Sequence, residues 1–173
     1  MINNKLNRGK ELTGEELREG MRLFPSPVTV ITAGAGLSAR GITIGSFTSS
    51  SLDPPLVTFN VSHGALFHSL LSGGALIAVH ILGDNQAMLS NRFARPDLSP
   101  EEQFRDLEVT EDENGLKIVG NTLGVFTCRI ATSYDAGDHT IVVARVISFD
   151  PGRSGSPLIY YNQGYRQLGS DAT

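Results

Sequence analysis

The sequence has one cysteine and no cluster of basic residues among its 173 residues. Because Cys128 is alone, the chain forms no internal disulfide, which is typical of proteins from a reducing compartment. The net charge of −4 argues against nucleic acid or an anionic membrane surface as the main partner. This charge is compatible with a small anionic ligand, since backbone N–H groups and one or two arginines can hold a phosphate.

Long apolar runs are also missing. The longest, residues 75–82, is far too short to span a bilayer, and the first twenty residues lack the apolar segment of a signal peptide. We therefore expect a cytoplasmic protein with no membrane partner. The content of 40% apolar and 18% charged residues fits one globular domain over residues 1–173, with residues 1–12 as a loose N-terminal segment.

Several catalytic and metal-binding motifs are absent. The sequence has no GxSxG elbow, no Walker-type loop and no Cys/His cluster. These absences argue against a serine hydrolase, a P-loop enzyme and a structural metal site. Residues 34–39 have the spacing GxGxxA of a dinucleotide fingerprint, but a strand-like segment follows them where that motif requires a helix. We interpret these glycines as a hairpin loop.

The predicted helices are short. Thr13 with Glu16, and Ser99 with Glu102, have capping-box spacing, and Ser62 and Asp84 are also expected to begin helices that end near residues 71 and 93. Apolar spacing predicts that these helices dock on the core through side chains listed here in chain order: Leu17, Met21, Phe24, Ala87, Met88 and Phe93.

Strand patterns occupy most of the remaining chain. Apolar or alternating segments predict strands at residues 28–33, 56–61, 75–82, 123–134 and 139–149, with a final hairpin around residues 162–164. Cys128 lies on the apolar face of one strand and is expected to be buried. Many strands, short helices and no regular strand–helix alternation predict a mainly β fold, an antiparallel barrel with helices over its openings.

Residues 41–55 are the most distinctive stretch, because a strand-like start leads into a segment dense in hydroxyl groups that ends on Asp53-Pro54-Pro55. We expect the strand to run into a tight, hydroxyl-lined turn that offers donors to a phosphate or a polar ring edge. A Ser/Thr-rich surface turn is the simpler interpretation of this stretch taken alone.

The four histidines receive different interpretations. His80 lies inside an apolar strand and is expected to be a core or interface residue, and His63 and His68 are expected to diverge on a helix without forming a zinc pair. His139 follows a Gly-Asp turn at the start of a strand, where Asp138 could orient its ring. From position alone, a functional and a surface histidine are equally supported there.

Taken together, these segments resemble the flavin reductase-like proteins of the FMN-binding split-barrel fold, the small reductase components that supply reduced flavin to monooxygenases. The resemblance covers roughly residues 20–168, and its segments occur in the family's order and spacing at residues 24–32, 41–43, 46–49, 51–57, 85–86, 92–94, 137–139, 157–160 and 164–165. It implies an antiparallel split β-barrel, a homodimer, and hydride transfer from NADH or NADPH to FMN or FAD.

The resemblance also implies a set of site residues. The ring of the flavin would lie along residues 43–47, its ribityl chain near three serines, its phosphate near two further segments, and the nicotinamide against His139 and Tyr165. The cofactor-binding residues so implied are Thr43, Ile44, Gly45, Ser46, Phe47, Ser49, Ser50, Ser51, Ser62, His63, Arg92, Phe93, Ala94 and Tyr165, and His139 is the implied catalytic residue.

This sequence departs from the family pattern at a few positions. His63 stands where many members have Lys or Arg, so Arg92 is expected to supply the cation for the phosphate. Two further functions on the same fold remain as alternatives. One is a flavin- or haem-binding carrier or sensor without reductase turnover. The other is an oxidase of the pyridoxamine-phosphate type, which would need more basic residues than this chain shows.

Overall fold

The computed structural model describes residues 11–169. The helices are α1 (Gly14–Met21), α2 (Ala87–Phe93) and α3 (Pro100–Phe104), and two 3-10 turns cover Gly36–Ser38 and Leu66–Leu70. The strands are β1 (Ser26–Pro27), β2 (Thr29–Ala33), β3 (Arg40–Ile44), β4 (Thr48–Leu52), β5 (Pro55–Ser62), β6 (Leu76–Ile81), β7 (Val109–Glu111), β8 (Lys117–Val119), β9 (Gly124–Ala136), β10 (His139–Pro151), β11 (Ile159–Tyr161) and β12 (Gly164–Arg166).

A seven-stranded antiparallel sheet in the order β3-β2-β6-β9-β10-β5-β4 dominates the fold. The sheet is curled: β3 and β5 are far apart in the strand order, yet Ile44 of β3 packs in the same buried cluster as Val57 and Phe59 of β5. The backbone N–H of Asn60 also donates to Ser46 Oγ at 2.9 Å, which ties β5 to the segment after β3. The prediction of a mainly β, antiparallel fold with short helices is confirmed.

The core follows from the alternation in the sequence. Every residue of β2 is buried, and β6 contributes four consecutive buried residues, as expected for strands covered on both faces. Cys128 and Ile130 of β9 point into the same cluster, as predicted. Burial raises the pKa of the Cys128 thiol to about 12, so this group is a small core side chain and not a nucleophile.

Both glycine- and asparagine-containing hairpins are where the sequence predicts them. Residues 34–39 join β2 to β3 as a hairpin connection and do not open a helix of the dinucleotide-binding kind. Asn162 and Gln163 join β11 to β12 with φ of 46° and 60°, the left-handed backbone that a two-residue hairpin turn needs. This second hairpin forms a small sheet with β1, beside one end of β3.

The hydroxyl-rich stretch differs from its prediction. Residues 48–52 are not a tight turn: they form the edge strand β4, which pairs with β5, and the chain turns only at residues 53–54. Hydroxyl side chains suit an exposed edge strand because solvent satisfies them, so their density did not distinguish an edge strand from a turn.

Two of the four predicted helix starts are confirmed, with complete capping boxes at Thr13 and Ser99. Ser62 does not cap a helix, because it pairs with His139 as the last residue of β5. Asp84 does not cap α2 either, since that helix begins at Ala87 after Gln86. Pairing between distant strands decides the first case, and local capping signals carry no information on it.

The predicted docking of α1 is wrong within this chain. Leu17, Met21 and Phe24 are 55%, 51% and 62% exposed. Met88 is 84% exposed and also points away from the core, whereas Phe93 is buried as predicted. Among residues 11–169, no helix combines the length and the apolar character needed to cross a bilayer.

Candidate functional site

A groove of about 330 Å³ lies between β3, α2 and the β11–β12 hairpin. It contains five residues that the sequence assigned to a flavin site, and the rest of its wall comes from β1, α2 and β11. In chain order the lining residues are Ser26, Pro27, Val28, Thr43, Ile44, Gly45, Ser90, Asn91, Ala94, Tyr160 and Tyr165.

Hydrogen bonds fix the walls of this groove to α2. Thr43 Oγ1 donates to the carbonyl oxygen of Ser90 at 2.6 Å. The hydroxyl of Tyr165 lies 2.8 Å from Ser90 Oγ and 3.0 Å from Asn91 Oδ1. Ser90 is fully buried, and its carbonyl oxygen and its hydroxyl group connect α2 to β3 and to β12. These contacts hold the two strands on either side of the groove.

A glycine lets α2 approach β3 closely. A Cβ at Gly41 would overlap the ring of Phe93, which is 2% exposed. Gln103 of α3 accepts from the Gly41 N–H at 3.1 Å and donates to its carbonyl oxygen at 3.2 Å. The Phe93 side chain, which the resemblance placed near a phosphate, is therefore part of the core that supports the groove.

A smaller cavity of about 140 Å³ adjoins the groove and shares Ala94 with it. Residues 65–67 after β5 and residues 93–96 after α2 meet there, beside residues 40–42 of β3. The resemblance placed the phosphate near Ser62 and His63 and near Phe93 and Ala94. Phe93 and Ala94 line this cavity, whereas Ser62 and His63 are not part of its lining.

The arginines of the smaller cavity are not the one that the sequence suggested. Arg40 and Arg95 line it, whereas Arg92 lines a separate depression and donates to the carbonyl oxygen of Arg105 at 2.6 Å. Arg95 is paired with Asp97, and Arg40 donates to the carbonyl oxygen of Leu98 at 3.1 Å. Arg40 directly precedes Gly41 in the chain and Arg95 directly follows Ala94, so each arginine is next to a residue in the segments that carry the resemblance.

Most hydroxyl side chains of residues 46–51 lie on the exposed edge strand β4. Ser50 Oγ is 2.9 Å from Thr58 Oγ1, Ser49 is exposed and Ser51 is half-buried. Phe47 turns inward and packs against the ring of Phe126 at 5.9 Å between centroids.

The remaining predicted site residues gather at the tip of the β9–β10 hairpin. Asp138 Oδ1 accepts from His139 Nδ1 at 2.6 Å, so the prediction that Asp138 orients this ring is confirmed. The hydrogen bond to His139 lowers the pKa of Asp138, and the nearby His63 lowers it further. Ser62 lies directly opposite His139 in the ladder. Within residues 11–169, His139 is not part of the lining of the groove that contains Tyr165.

His63 and His68 do not diverge as predicted, because residues 62–71 form a strand end and a 3-10 turn in place of an α-helix. Their rings meet edge to face with centroids 5.3 Å apart. Within residues 11–169, no group of three or more His, Cys, Asp or Glu side chains is arranged to hold a metal ion.

His80 is a satisfied core histidine, one of the two interpretations that the sequence left open. Its Nδ1 lies 3.0 Å from the carbonyl oxygen of Val30, and its Nε2 accepts from the backbone N–H of Val119 at 3.0 Å. Both contacts suit the neutral ring. Burial lowers the pKa of His80 to about 4.

The groove combines an apolar wall with a polar rim. Pro27, Val28 and Ile44 provide apolar wall, and Thr43, Asn91 and Tyr165 are among the polar groups at the rim. A planar cofactor with a polar edge and a phosphate requires such a wall and rim next to a basic pocket, which is what the groove and the smaller cavity offer together.

Comparison with known proteins agrees with this geometry. Residues 21–169 match the family described as "Flavin reductase like domain". The chain is 37% identical over 143 residues to the FMN reductase (NADH) SmoA of Agrobacterium fabrum, covering 83% of this chain and 79% of that protein. It is 37% identical over 154 residues to the reductase component of 4-hydroxyphenylacetate 3-monooxygenase of Thermus thermophilus, covering 89% and 96%.

A solved structure shares the fold as well. The NADH:FAD oxidoreductase SgcE6 of Streptomyces globisporus, in complex with NAD and FAD fragments, superposes with a TM-score of 0.84 at 30% identity, covering 95% of this chain and all of that one. The matched residues include the groove, the smaller cavity and the hairpin tip. The resemblance stated from the sequence is therefore confirmed, and this chain belongs to the flavin reductase-like family.

Proposed function

We propose that this protein is an NAD(P)H:flavin oxidoreductase that reduces FMN or FAD and supplies the reduced flavin to a partner monooxygenase. The observation that carries the proposal is the groove beside β3, which unites Thr43, Ile44, Gly45, Ala94 and Tyr165 next to a basic cavity. The names of the relatives, which include NADH-dependent flavin reductases and a monooxygenase reductase component, support the same activity.

The residues divide the binding task by their chemistry. The apolar wall of the groove holds the flat ring, the hydroxyl side chains of residues 46–51 bind the polar chain that follows it, and Arg40 and Arg95 hold the phosphate. When bound, the flavin supplies the acceptor for the hydride that the dihydronicotinamide loses. The protein's part is to stack the two rings in a groove whose walls are already fixed, which lowers the entropic barrier to transfer.

We also propose that the curled sheet is a split barrel and that two protomers pair, so that His139 of one and the Tyr165 groove of the other form one site. The separation of these residues within one chain supports this arrangement. So do the exposed apolar side chains of Leu17, Met21 and Phe24, which a second copy would cover. Sedimentation equilibrium tests the pairing: a dimer mass is expected, and a monomer at micromolar concentration would contradict it.

We further infer that residues 1–173 form one domain and that the protein is cytoplasmic. The family match over residues 21–169 supports the single domain. The only cysteine is a buried free thiol, as suits a reducing compartment. Ten of the twelve residues that the sequence assigned to a loose N-terminal segment lie outside the described residues.

Anaerobic reduction tests the activity directly. Purified protein is mixed with FMN or FAD and with NADH or NADPH, and the visible absorbance of oxidised flavin is followed. Bleaching far faster than in a protein-free control is the expected result, and the four combinations give both specificities. Tight flavin binding without bleaching by either nucleotide would contradict the reductase and favour the carrier or sensor.

A further inference from the structure

The tip of the β9–β10 hairpin extends beyond the rest of the sheet. Strand β6 pairs with β9 only from Gly124 to Arg129, and residues 131–136 of β9 are all exposed. On the other side, β5 accompanies β10 as far as Ser62, which pairs with His139. The tip that carries Asp138 and His139 therefore depends on contacts from residues 62–71.

Four residues make these contacts, and we call them the histidine brace: His63, His68, Asp135 and Thr140. His63 Nε2 lies 2.9 Å from Asp135 Oδ1. His68 Nε2 lies 2.8 Å from Thr140 Oγ1. The two rings touch edge to face at 76°, and the backbone N–H of His63 donates to the carbonyl oxygen of Asp138 at 3.0 Å. The brace thus joins the 62–71 segment to both strands of the tip.

The brace lies on the opposite face of the hairpin from His139. Asp135 and Thr140 are directly opposite each other in the ladder and so share a face. His139 pairs with Ala136 and Ser62, and since successive residues of a strand alternate, its side chain projects from the other face. The brace therefore acts on His139 through the hairpin backbone.

We propose that the histidine brace fixes the hairpin tip so that His139 is held in position for the nicotinamide, which makes His63, His68, Asp135 and Thr140 positioning residues for the hydride donor. This inference rests on the proposed function, in which His139 of one protomer joins the groove of the other, and on the nicotinamide contact that the resemblance implies for His139. It assigns His63 a different role from the phosphate contact that the family resemblance implies, because its Nε2 is already engaged by Asp135.

Thr140 offers a matched set of variants. Thr140→Val removes the hydroxyl that meets His68 but keeps the β-branched shape, and Thr140→Ser keeps the hydroxyl. Thr132→Val, on the exposed part of the same hairpin, is the control. For Thr140→Val we expect the KM for NADH to rise about fivefold, the effect of one lost hydrogen bond, with kcat and the flavin Kd unchanged. Thr140→Ser and Thr132→Val should behave as the wild type.

Hydrogen exchange of the flavin-free protein gives a readout that is independent of turnover. The amide of His63, which donates to Asp138, should exchange faster in Thr140→Val and in Asp135→Asn than in the wild type. Asp150→Asn, an exposed aspartate at the other end of β10, is the control and should leave this amide protected.

Either of two results would overturn this inference and leave the proposed function standing. One is His63→Gln that weakens flavin binding and leaves the KM for NADH unchanged, because His63 would then be a phosphate ligand. The other is His139→Ala that raises the KM for NADH while Thr140→Val and Asp135→Asn change neither this constant nor the exchange of the His63 amide. A wild-type protein that oxidises neither NADH nor NADPH with either flavin would instead refute the proposed function, and the brace would then have no nicotinamide to position.

Discussion

The groove beside β3 and the tip of the β9–β10 hairpin hold their side chains by different means. The groove is built into the core: Ser90 is buried, Phe93 fills the space above Gly41, and Gln103 bonds to both backbone groups of that glycine. At the tip, exposed Asp138 and half-buried His139 are joined by polar contacts alone. Changes below the groove should therefore alter stability, and changes at the tip should alter nucleotide use.

The largest expected effect comes from His80, which bonds to Val30 on the strand next to β3. Its pKa is about 4 in the folded chain against an ordinary 6.5, so the unfolded chain binds this proton first as the pH falls. Stability is fully present above pH 6.5 and is lost toward pH 4, by roughly 3 kcal/mol in all. Urea unfolding at stepped pH measures the loss.

The His80 ring itself provides the control for that titration. Its NMR signals should show no protonation until the pH approaches 4. A ring that titrates near 6.5 in the folded protein would contradict this account, and so would an unfolding free energy that stays constant between pH 6.5 and 5. Either result would show that burial does not prevent protonation of the His80 ring.

The next effect in size is expected from Gly41→Ala. The new methyl group would overlap the buried ring of Phe93 and force α2 away from β3, which should lower the free energy of unfolding by about 2 kcal/mol. Gly73→Ala is the matched control, since no atom lies within 4 Å of a Cβ built there. Equal stabilities of the two variants in urea would argue against a tightly packed support.

Tyr165→Phe should have a smaller effect. It removes the hydroxyl that donates toward α2 and leaves the buried Ser90 Oγ without that partner, at a cost of about 1 kcal/mol of stability. The flavin Kd should rise as well, because the same hydroxyl lies at the groove rim. Tyr161→Phe on the neighbouring strand is the control. A Tyr165→Phe variant as stable as that control would show that the Tyr165 hydroxyl does not stabilise the fold.

Asp138→Asn should leave stability unchanged, because the carboxylate is exposed and makes no contact with the core. It replaces a charge-assisted hydrogen bond to His139 with a neutral one, so we expect the KM for NADH to rise about threefold. Steady-state kinetics measure the change. A shift in the urea midpoint without a change in the KM for NADH would contradict the account, because the tip would then contribute to stability and not to nucleotide use.

Local signals in the sequence predicted local structure well. The capping boxes at Thr13 and Ser99, the turn before His139 and the buried face of Cys128 each depend on residues close in the chain, and all four are found. The antiparallel β fold followed from strand patterns in the same way. The family resemblance then supplied the groove residues, five of which the structure brings together.

What the sequence missed depends on contacts between distant segments. Serine is a common helix N-cap residue, but Ser62 is the last residue of β5 and pairs with His139 of β10. The contact of His63 with Asp135 requires two segments that are distant in the chain, residues 62–71 and β9, to come together in the fold. Arg40 and Arg95 reach one cavity only because α2 crosses β3 at Gly41. Spacing along the chain holds no information about such meetings.

The most direct test of the account is a flavin titration of Gly45→Val. A Cβ at Gly45 would meet its nearest neighbour, Ser26 Cβ, at 3.4 Å, so the fold should tolerate the change while the added methyl groups enter the groove. We predict a urea midpoint equal to that of the wild type and a flavin Kd weaker by about tenfold or more, because the added methyl groups occupy space that the flat ring would fill. Flavin affinity equal to that of the wild type in a folded Gly45→Val protein would mean that the flavin binds elsewhere.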